Sequence, residues 1–437
     1  MKNGSTLAAP SLPLTVTGKP DLRDYGGWLA VAVVLALLPH VPGLNADFGH
    51  SLLSQMGIAA VFALSYNMLL GQTGLLSFGH AVYFGLGGYA AIHFMRAINH
   101  GLPIPMPLVP LAGAAAGLLS GVLFGAVSTR RAGTIFALIS LGIGELVYAS
   151  TFMLPALFGG EEGITANRTR APALFGLTLG SQLEVYYVIA GWALSAAMLM
   201  RAFTRTPLGR MCNAVRDNPE RAQFIGYNTQ HVRFFAFAFA GMFAGLAGGL
   251  HAINYEIVAA DAIGAQRSGT VLLMAYIGGV THFAGPVVGA ITLTWLQTSL
   301  SAYTGAWLLY IGLFFMAIIL FAPSGLAGLI TMHRAIVRTR AFPAMLAAYL
   351  FALVPALVAS AGAVLLIEMC FRVSTEAERG TQMRFLAVPL DLSTPWPWIG
   401  AAALLVGGFA AFRPTRGRVA AAWARASDEA AAERAKA

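Results

Sequence analysis

The sequence contains little charge. Asp, Glu, Lys and Arg make up only 10% of its 437 residues, and 57% are apolar, whereas an ordinary soluble domain is roughly 25% charged. So few charged side chains exclude a soluble protein of this size and indicate an integral membrane protein. Because lipid offers no partners for free backbone groups, the apolar runs should be helices of a membrane-spanning bundle. The predicted fold class is all-α.

The residue patterns that carry catalysis are also missing. There is no glycine-rich phosphate loop with lysine, no metal-ligand spacing of His or Cys, and no nucleophile elbow. Any ATPase that works with this chain must therefore be another chain, and we expect no cofactor here. Cysteine is scarce too: Cys212 and Cys370 are predicted to lie on opposite sides of the membrane and not to pair. The net charge of +9 is spread over short loops, which argues against nucleic acid as a partner.

Apolar segments are what the sequence has in abundance. The segment 268–302 is too long for one ordinary crossing, and Gly278-Gly279 and Gly285-Pro286 interrupt its middle. We therefore predict a hairpin that enters the membrane and returns. The predicted segments are 27–43, 50–70, 80–95, 105–128, 133–157, 184–200, 232–252, 268–302, 306–322, 343–367 and 397–412.

The distribution of basic residues supports the hairpin. With the N-terminus in the cytoplasm, twenty of the 27 Lys and Arg residues fall inside and seven outside, as the positive-inside rule requires. A single crossing over 268–302 would move Arg334, Arg338 and Arg340 outside. Both termini are then cytoplasmic.

Three regions follow along the chain. Residues 1–26 contain no apolar core and form a cytoplasmic segment, and the first apolar run is expected to remain as an anchor. Residues 27–332 form the transmembrane core. After a basic linker, residues 333–437 add two further spans and a charged cytoplasmic tail.

The longest polar stretch, 201–233, lies between two strongly apolar segments and contains six arginines. Asp217-Asn218 provides an N-cap, Pro219 is suited to a first helical turn, and Gly226 provides a stop. The pattern predicts a short surface helix over 219–225 at the water interface. We interpret this loop as the contact with a soluble motor protein.

Two glycine-rich interruptions could carry the transport pathway or a gate. The first sets Gln72, Thr73, Ser77 and His80 among glycines, and the second places Thr281 and His282 inside the hairpin break. Transporters place substrate at such breaks, but glycine also permits close helix packing around a satisfied histidine, and both interpretations stay open. The glycine and proline positions predicted to break helices are Gly71, Gly74, Gly79, Gly278, Gly279, Gly285 and Pro286.

Glu145 is the one acid well inside an apolar span. A charge in the membrane interior costs roughly 2.5 to 3.5 kcal/mol on insertion scales, so it should face a cavity or a partner. Proton relay, hydrogen bonding within the bundle and a position nearer the surface all remain possible.

These stretches together resemble the M-type permease subunits of bacterial branched-chain amino-acid importers of the ATP-binding cassette class. The resemblance covers about residues 50–330, and Glu220-Arg221-Ala222-x-x-x-Gly226 is similar to the Glu-Ala-Ala-x-x-x-Gly loop that engages the ATPase. The residues that carry it are Gly71, Gly74, Ser77, Gly79, His80, Ala81, Phe136, Ala137, Leu138, Glu145, Gly159, Gly160, Gly163, Ile164, Pro207, Leu208, Gly209, Arg210, Ala214, Val215, Arg216, Glu220, Ala222, Gly226, Gly278, Gly279, Gly285, Pro286, Gly289, Ala290, Pro323, Gly325 and Leu326.

The resemblance implies a permease subunit in a bacterial inner membrane, with no ATPase site of its own. Its expected partners are a second, H-type permease, two ATPase subunits that bind ATP and Mg, an extracytoplasmic solute-binding protein and the lipid bilayer. Its coupling residues are expected to be Arg210, Arg216, Asp217, Glu220, Arg221 and Gly226. Arg221, Thr281-His282 and the extension 333–437 depart from the family pattern.

The cargo stays open at this stage. Branched-chain or related hydrophobic amino acids are favoured, and the alternative within the same family is urea, a short amide or another small solute. A proton-coupled secondary transporter would instead use Glu145 and His80 as titrating groups. A structural membrane subunit without its own pathway is a further alternative.

Overall fold

The computed structural model describes residues 22–170, 178–337, 342–375, 382–385 and 388–436. Most of the predicted segment 1–26 lies outside these residues, as do Arg338, Arg340 and Arg379. The core helices are α1 Leu22–Leu37, α2 Asp47–Thr73, α3 Ala81–Asn99, α4 Val109–Ser128, α5 Gly133–Met153, α6 Pro155–Phe158, α7 Gln182–Arg205, α8 Pro207–Asp217, α9 Pro219–Phe224, α10 Thr229–Tyr255, α11 Ala265–Gly278, α12 Gly285–Tyr303, α13 Trp307–Phe321 and α14 Gly325–Ile336. The extension contains α15 Phe342–Thr375 and α16 Pro395–Lys436.

The protein is an all-α polytopic membrane protein, as predicted. Within the described residues, seven helices are long and apolar enough to cross a membrane, or eight if the bent pair α13 and α14 is one span. Strands are limited there to two short antiparallel pairs. β1 Ile164–Thr165 pairs with β2 Ile257–Val258, and β3 Gln382–Phe385 pairs with β4 Val388–Asp391.

Helices α2 and α10 form the centre of the bundle. The apolar windows of α2 and α10 are 78% and 83% buried, against 33% for α5 and α7, so α2 and α10 are enclosed by the other helices. A seam of glycines lets α10 pack directly on α4. A Cβ atom on Gly245 would lie 2.3 Å from the carbonyl oxygen of Gly113 and 2.7 Å from the Cα of Gly117. Small residues of this kind allow membrane helices to approach backbone to backbone.

The predicted hairpin is confirmed as a break between two helices. α11 ends at Gly278, Gly279 follows with φ of +105°, and α12 begins at Gly285. The two helices pack antiparallel, because a Cβ on Gly289 would collide with the carbonyl oxygen of Met274 and one on Gly278 with that of Gly285.

The bundle has two ends, which we call the loop end and the far end. The loop end contains α8, α9, the C-terminus of α2, the hairpin tip 279–284 and the 48° bend between α13 and α14. The far end contains the N-termini of α2 and α7. There His40 Nε2 lies 3.0 Å from the Tyr187 hydroxyl, which ties the segment after α1 to α7.

The extension forms an antiparallel hairpin of α15 and α16. Gly362 packs against Leu405, and Gly408 against Ala359. β3 and β4 lie in the connection between the two helices. One contact between the extension and the core is made by Glu368 of α15, whose carboxylate accepts hydrogen bonds from the Tyr310 hydroxyl at 2.7 Å and the Thr304 hydroxyl at 3.1 Å. Its treatment as a separate domain stays a prediction.

Replacing Glu368 with alanine is expected to loosen the extension without disturbing the core. The change removes a charged acceptor and leaves the part-buried Tyr310 hydroxyl without it, a loss of about 1 to 2 kcal/mol. Hydrogen–deuterium exchange at the C-terminal half of α15 should rise, while exchange in α10 stays unchanged. Glu368→Gln keeps an acceptor and serves as the control. Equal protection of α15 in wild type and Glu368→Ala would contradict the assignment of this contact.

Candidate functional site

The first glycine-rich interruption is a break between α2 and α3. α2 ends at Thr73, Gly74 caps it with φ of +70°, and α3 begins at Ala81. Gly71 lies inside α2, so the prediction that it breaks the helix is wrong. Its role is close approach: a Cβ there would lie 2.2 Å from Asn67 Oδ1 and 2.9 Å from the carbonyl oxygen of Val280. Gly71 thus lets the hairpin tip pack against α2.

His80 lies fully buried between α2 and α3. Its Nε2 is 3.0 Å from the Ser65 hydroxyl, and its ring stacks on Phe62 and meets the edge of Tyr66. Thr73 and Ser77 are buried as well, and the Thr73 hydroxyl donates to the carbonyl of Leu69 at 2.6 Å. Participation of these residues in a pathway or gate stays a prediction.

A group of buried polar atoms near this break has no hydrogen-bond partner within the described residues. Buried polar atoms without partners are uncommon and costly in folded proteins. Five such atoms lie in one short region around the end of α2. The atoms are Tyr66 Oη, Asn67 Oδ1, Gln72 Oε1, Ser77 Oγ and His80 Nδ1.

Thr281 and His282 lie at the hairpin tip and face a different cavity. The Thr281 hydroxyl is 3.0 Å from His282 Nδ1. Both residues line a groove of about 860 Å³ between α1, α2, α7 and α12, together with Arg201 and Arg205. The structure therefore does not bring Thr281 and His282 together with the buried His80 in one cavity.

The loop 206–228 contains two helices rather than one. The predicted helix is confirmed as α9, and Asn218 Oδ1 accepts from the Arg221 amide at 2.9 Å as its N-cap. Gly226 follows with φ of +91°. Helix α8 was not predicted, although Thr206-Pro207 is an N-cap signal, and the Thr206 hydroxyl accepts from the Gly209 amide at 3.1 Å.

Helix α8 is fixed to the end of α2. Cys212 and Val215 pack in a small buried cluster with Val232 of α10. On the same helix, Arg216 donates a hydrogen bond from Nη1 to the carbonyl of Gly71. Its Nε also pairs with the Asp217 carboxylate at 2.9 Å. The loop and the end of α2 therefore form one packed unit.

The outer surface of this loop contains a group of exposed apolar side chains with charged side chains around it. Phe224 is 90% exposed, Ile225 63% and Tyr227 47%, and Arg210, Glu220 and Arg221 are exposed around them. Aromatic and aliphatic side chains grouped on a water-facing surface are typical of a protein contact. Three of the predicted coupling residues thus lie on the same loop as an apolar patch that the sequence analysis did not single out.

Cys212 provides a test of the packing of α8. Burial raises the pKa of its thiol from 9.0 to about 12, so the reactive thiolate is about a thousandfold scarcer at pH 8 than for a free thiol. We therefore expect alkylation of Cys212 by iodoacetamide to be slower by about that factor in the folded protein. Mass spectrometry of native and denatured protein measures the ratio. Equal rates in the two states would show that α8 does not pack as described.

A polar cleft opens on the side of the core. Glu145 is exposed on α5, and it shares this cleft of about 590 Å³ with Asp261 and Arg267. The cleft also contains hydroxyl and amide groups from α2, α11 and α12. These are Gln55, Gln266, Thr270, Thr294, Gln297, Thr298 and Ser301.

Sequence reasoning found only Glu145 of this set. The sequence of α12 contains a pattern that could have predicted the cleft. Polar residues recur there at helical spacing and form a stripe along one face: Thr294, then Gln297 and Thr298, then Ser301. Polar and ionisable groups of membrane helices face a cavity or a partner rather than lipid. The cleft is therefore expected to face a cavity or a partner rather than lipid.

Comparison of the sequence with known proteins shows which family the chain matches. Residues 50–323 match the family described as "Branched-chain amino acid transport system / permease component". The high-affinity branched-chain amino acid permease protein LivM of Salmonella typhimurium is 24% identical over 292 residues, which cover 62% of this chain and 67% of that protein. LivM of Escherichia coli K12 matches to the same extent.

Two other relatives extend the range of the comparison. A probable branched-chain amino acid permease, LivH of Methanocaldococcus jannaschii, is 24% identical over 285 residues, 62% of this chain and 89% of that protein. The autoinducer 2 permease LsrC of Escherichia coli O9:H4 is 29% identical over 231 residues, 49% of this chain and 60% of that protein. No solved structure matches the chain.

Proposed function

The chain belongs to the branched-chain amino-acid transport permease family, and we propose that it is the permease subunit of an ATP-driven importer of branched-chain or related hydrophobic amino acids. The subunit alternates between inward and outward access. Partner chains bind ATP and Mg and hydrolyse ATP, and this chain supplies the pathway.

The observation that carries the proposal is the surface of the loop 206–228. Its exposed Phe224, Ile225 and Tyr227 form a contact for a soluble protein, while its inner side bonds to the end of α2 through Arg216. A partner that pulls or pushes this surface acts directly on a central helix. The loop end is then cytoplasmic, as are both termini, in a bacterial inner membrane.

The exposed surfaces and the relatives support the proposed partners. The acids Glu145 and Asp261 in the polar cleft cannot face lipid without cost, so a second permease of the H type covers this side. Two ATPase subunits meet the loop ends of the two permeases, and an extracytoplasmic solute-binding protein delivers cargo at the far end.

The alternatives receive less support. The named relatives carry branched-chain amino acids or, for LsrC, autoinducer 2, which does not favour urea or short amides. A proton-coupled transporter would need His80 to exchange protons with water. His80 is fully buried among aromatic rings instead.

Uptake into vesicles tests the proposal. The chain is assembled with the proposed H-type permease, ATPase subunits and binding protein in vesicles loaded with or without ATP. Labelled leucine should accumulate only with ATP and only when the binding protein is present. Leucine uptake that is driven by a proton gradient without ATP would overturn the proposal, and ATP-dependent uptake of urea but not leucine would overturn its cargo.

A further inference from the structure

Arg267 lies in the first turn of α11 and lines two adjoining spaces. Its guanidinium carbon is 5.0 Å from the centre of the Phe84 ring. On one side is a small cavity of about 100 Å³ that His251 and Tyr255 also line, and on the other is the polar cleft. Arginine keeps its charge in proteins and binds carboxylates in a fork geometry.

Two acids, Glu145 and Asp261, line the same cleft as Arg267. Neither Glu145 nor Asp261 forms an ion pair with Arg267 within 4.0 Å. The cleft therefore holds one positive and two negative side chains that are not joined in an ion pair. A ligand that carries both charges would satisfy both sides.

Along the bundle axis, Glu145 and Gln55 lie away from the far end. Glu145 is eight residues before α5 ends at Met153, and Gln55 is eight residues after α2 begins at Asp47, so both lie about 12 Å from the far end. At this depth the cost of an unpaired charge is substantial. A ligand that pairs with the charged groups is correspondingly favoured.

We propose that this cleft binds the charged head of an α-amino acid, with Arg267 holding the carboxylate and Glu145 and Asp261 holding the ammonium group. The inference rests on the proposed function and specifies how that cargo is recognised in the permease itself. Tyr148 and Trp307 line the same cleft and provide surface for an apolar side chain. A neutral solute such as urea forms no ion pair with these groups.

A protection assay tests the assignment on the assembled complex. A Thr298→Cys reporter, in a Cys370→Ser background, places a thiol on the cleft wall. Leucine at millimolar concentration should slow its labelling by a water-soluble maleimide. Leucinamide, which lacks the carboxylate, and 4-methylpentanoate, which lacks the ammonium group, should need at least tenfold higher concentrations for the same protection.

Variants that remove one charge distinguish a role of Arg267 and Glu145 in ligand binding from a role in holding the fold. Arg267→Gln should abolish the advantage of leucine over leucinamide, and Glu145→Gln should reduce its advantage over 4-methylpentanoate. Arg413→Gln, which removes a cation from α16, is the matched control and should leave all three concentrations unchanged. A merely structural Arg267 would weaken protection by all three compounds equally.

The outcomes distinguish this inference from the proposed function. Equal protection by the three compounds, or no protection by leucine, overturns the inference even if wild-type vesicles import leucine with ATP. Absence of ATP-dependent leucine uptake in wild type overturns the proposed cargo, whatever the protection assay gives. Leucine-selective protection that depends on Arg267 supports the assignment.

Discussion

Phe224→Asp is expected to abolish substrate-stimulated ATP hydrolysis by the assembled complex while leaving the permease folded. The ring is 90% exposed in the isolated chain, so its replacement costs the fold almost nothing. In a contact with a partner, a central aromatic side chain contributes about 2 to 4 kcal/mol, which corresponds to roughly 30-fold to 1,000-fold in affinity. The introduced carboxylate adds the penalty of a buried charge.

The measurement is ATPase activity of the purified complex with and without loaded binding protein, together with co-purification of the ATPase. Phe224→Leu keeps the apolar contact and should retain most of the stimulation. Gln230→Asp places the same charge on the exposed first turn of α10 and controls for added charge at the loop end. Normal stimulation in Phe224→Asp would show that the ATPase contacts another surface.

Gly245→Val is expected to prevent stable assembly of the core. Its Cβ would lie 2.3 Å from the Gly113 carbonyl oxygen and 2.9 Å from the Gly117 amide nitrogen. These are backbone atoms of α4, so no side chain can move aside, and α4 and α10 must separate along their length. Overpacking of this kind costs about 3 kcal/mol, a large part of the stability of a typical domain.

Thermal unfolding in detergent, followed by size-exclusion chromatography, measures the effect. Gly191→Val on α7 is the matched control, because a Cβ at Gly191 meets nothing within 4 Å. We expect the Gly245 variant to be recovered in low yield and to unfold well below wild type, with the Gly191 variant close to wild type. Similar unfolding temperatures for the two variants would contradict the tight seam.

The sequence was sufficient for the parts of the fold that depend on local patterns. Apolar runs of membrane length predicted the spans, and paired glycines predicted the hairpin break between Gly278 and Gly285. The Asn-Pro cap and Gly226 predicted α9, because caps act over only a few residues. The same reasoning misjudged Gly71, since glycine at a break and glycine at a close contact look alike in sequence.

The candidate sites depended on contacts that no local pattern contains. The polar cleft combines Gln55, Glu145, Arg267 and Thr294 from four helices, and only the fold brings them to one depth. Glu368 lies at the end of a long apolar run, and its partner Tyr310 lies 58 residues earlier. The roles predicted for His80, Thr281 and His282 stay predictions, because burial and neighbours alone do not test them.

The contact between Arg216 and Gly71 joins α8 to the loop end of α2. α2 has 27 residues, so it is about 40 Å long, and α8 holds its loop end. Gln55, in the polar cleft, is sixteen residues from Gly71 on this helix, or about 24 Å away. A tilt of about 5° about the loop end would move Gln55 by about 2 Å. If movement of α8 tilts α2 by this small angle, the wall of the cleft at Gln55 moves by more than the length of a covalent bond.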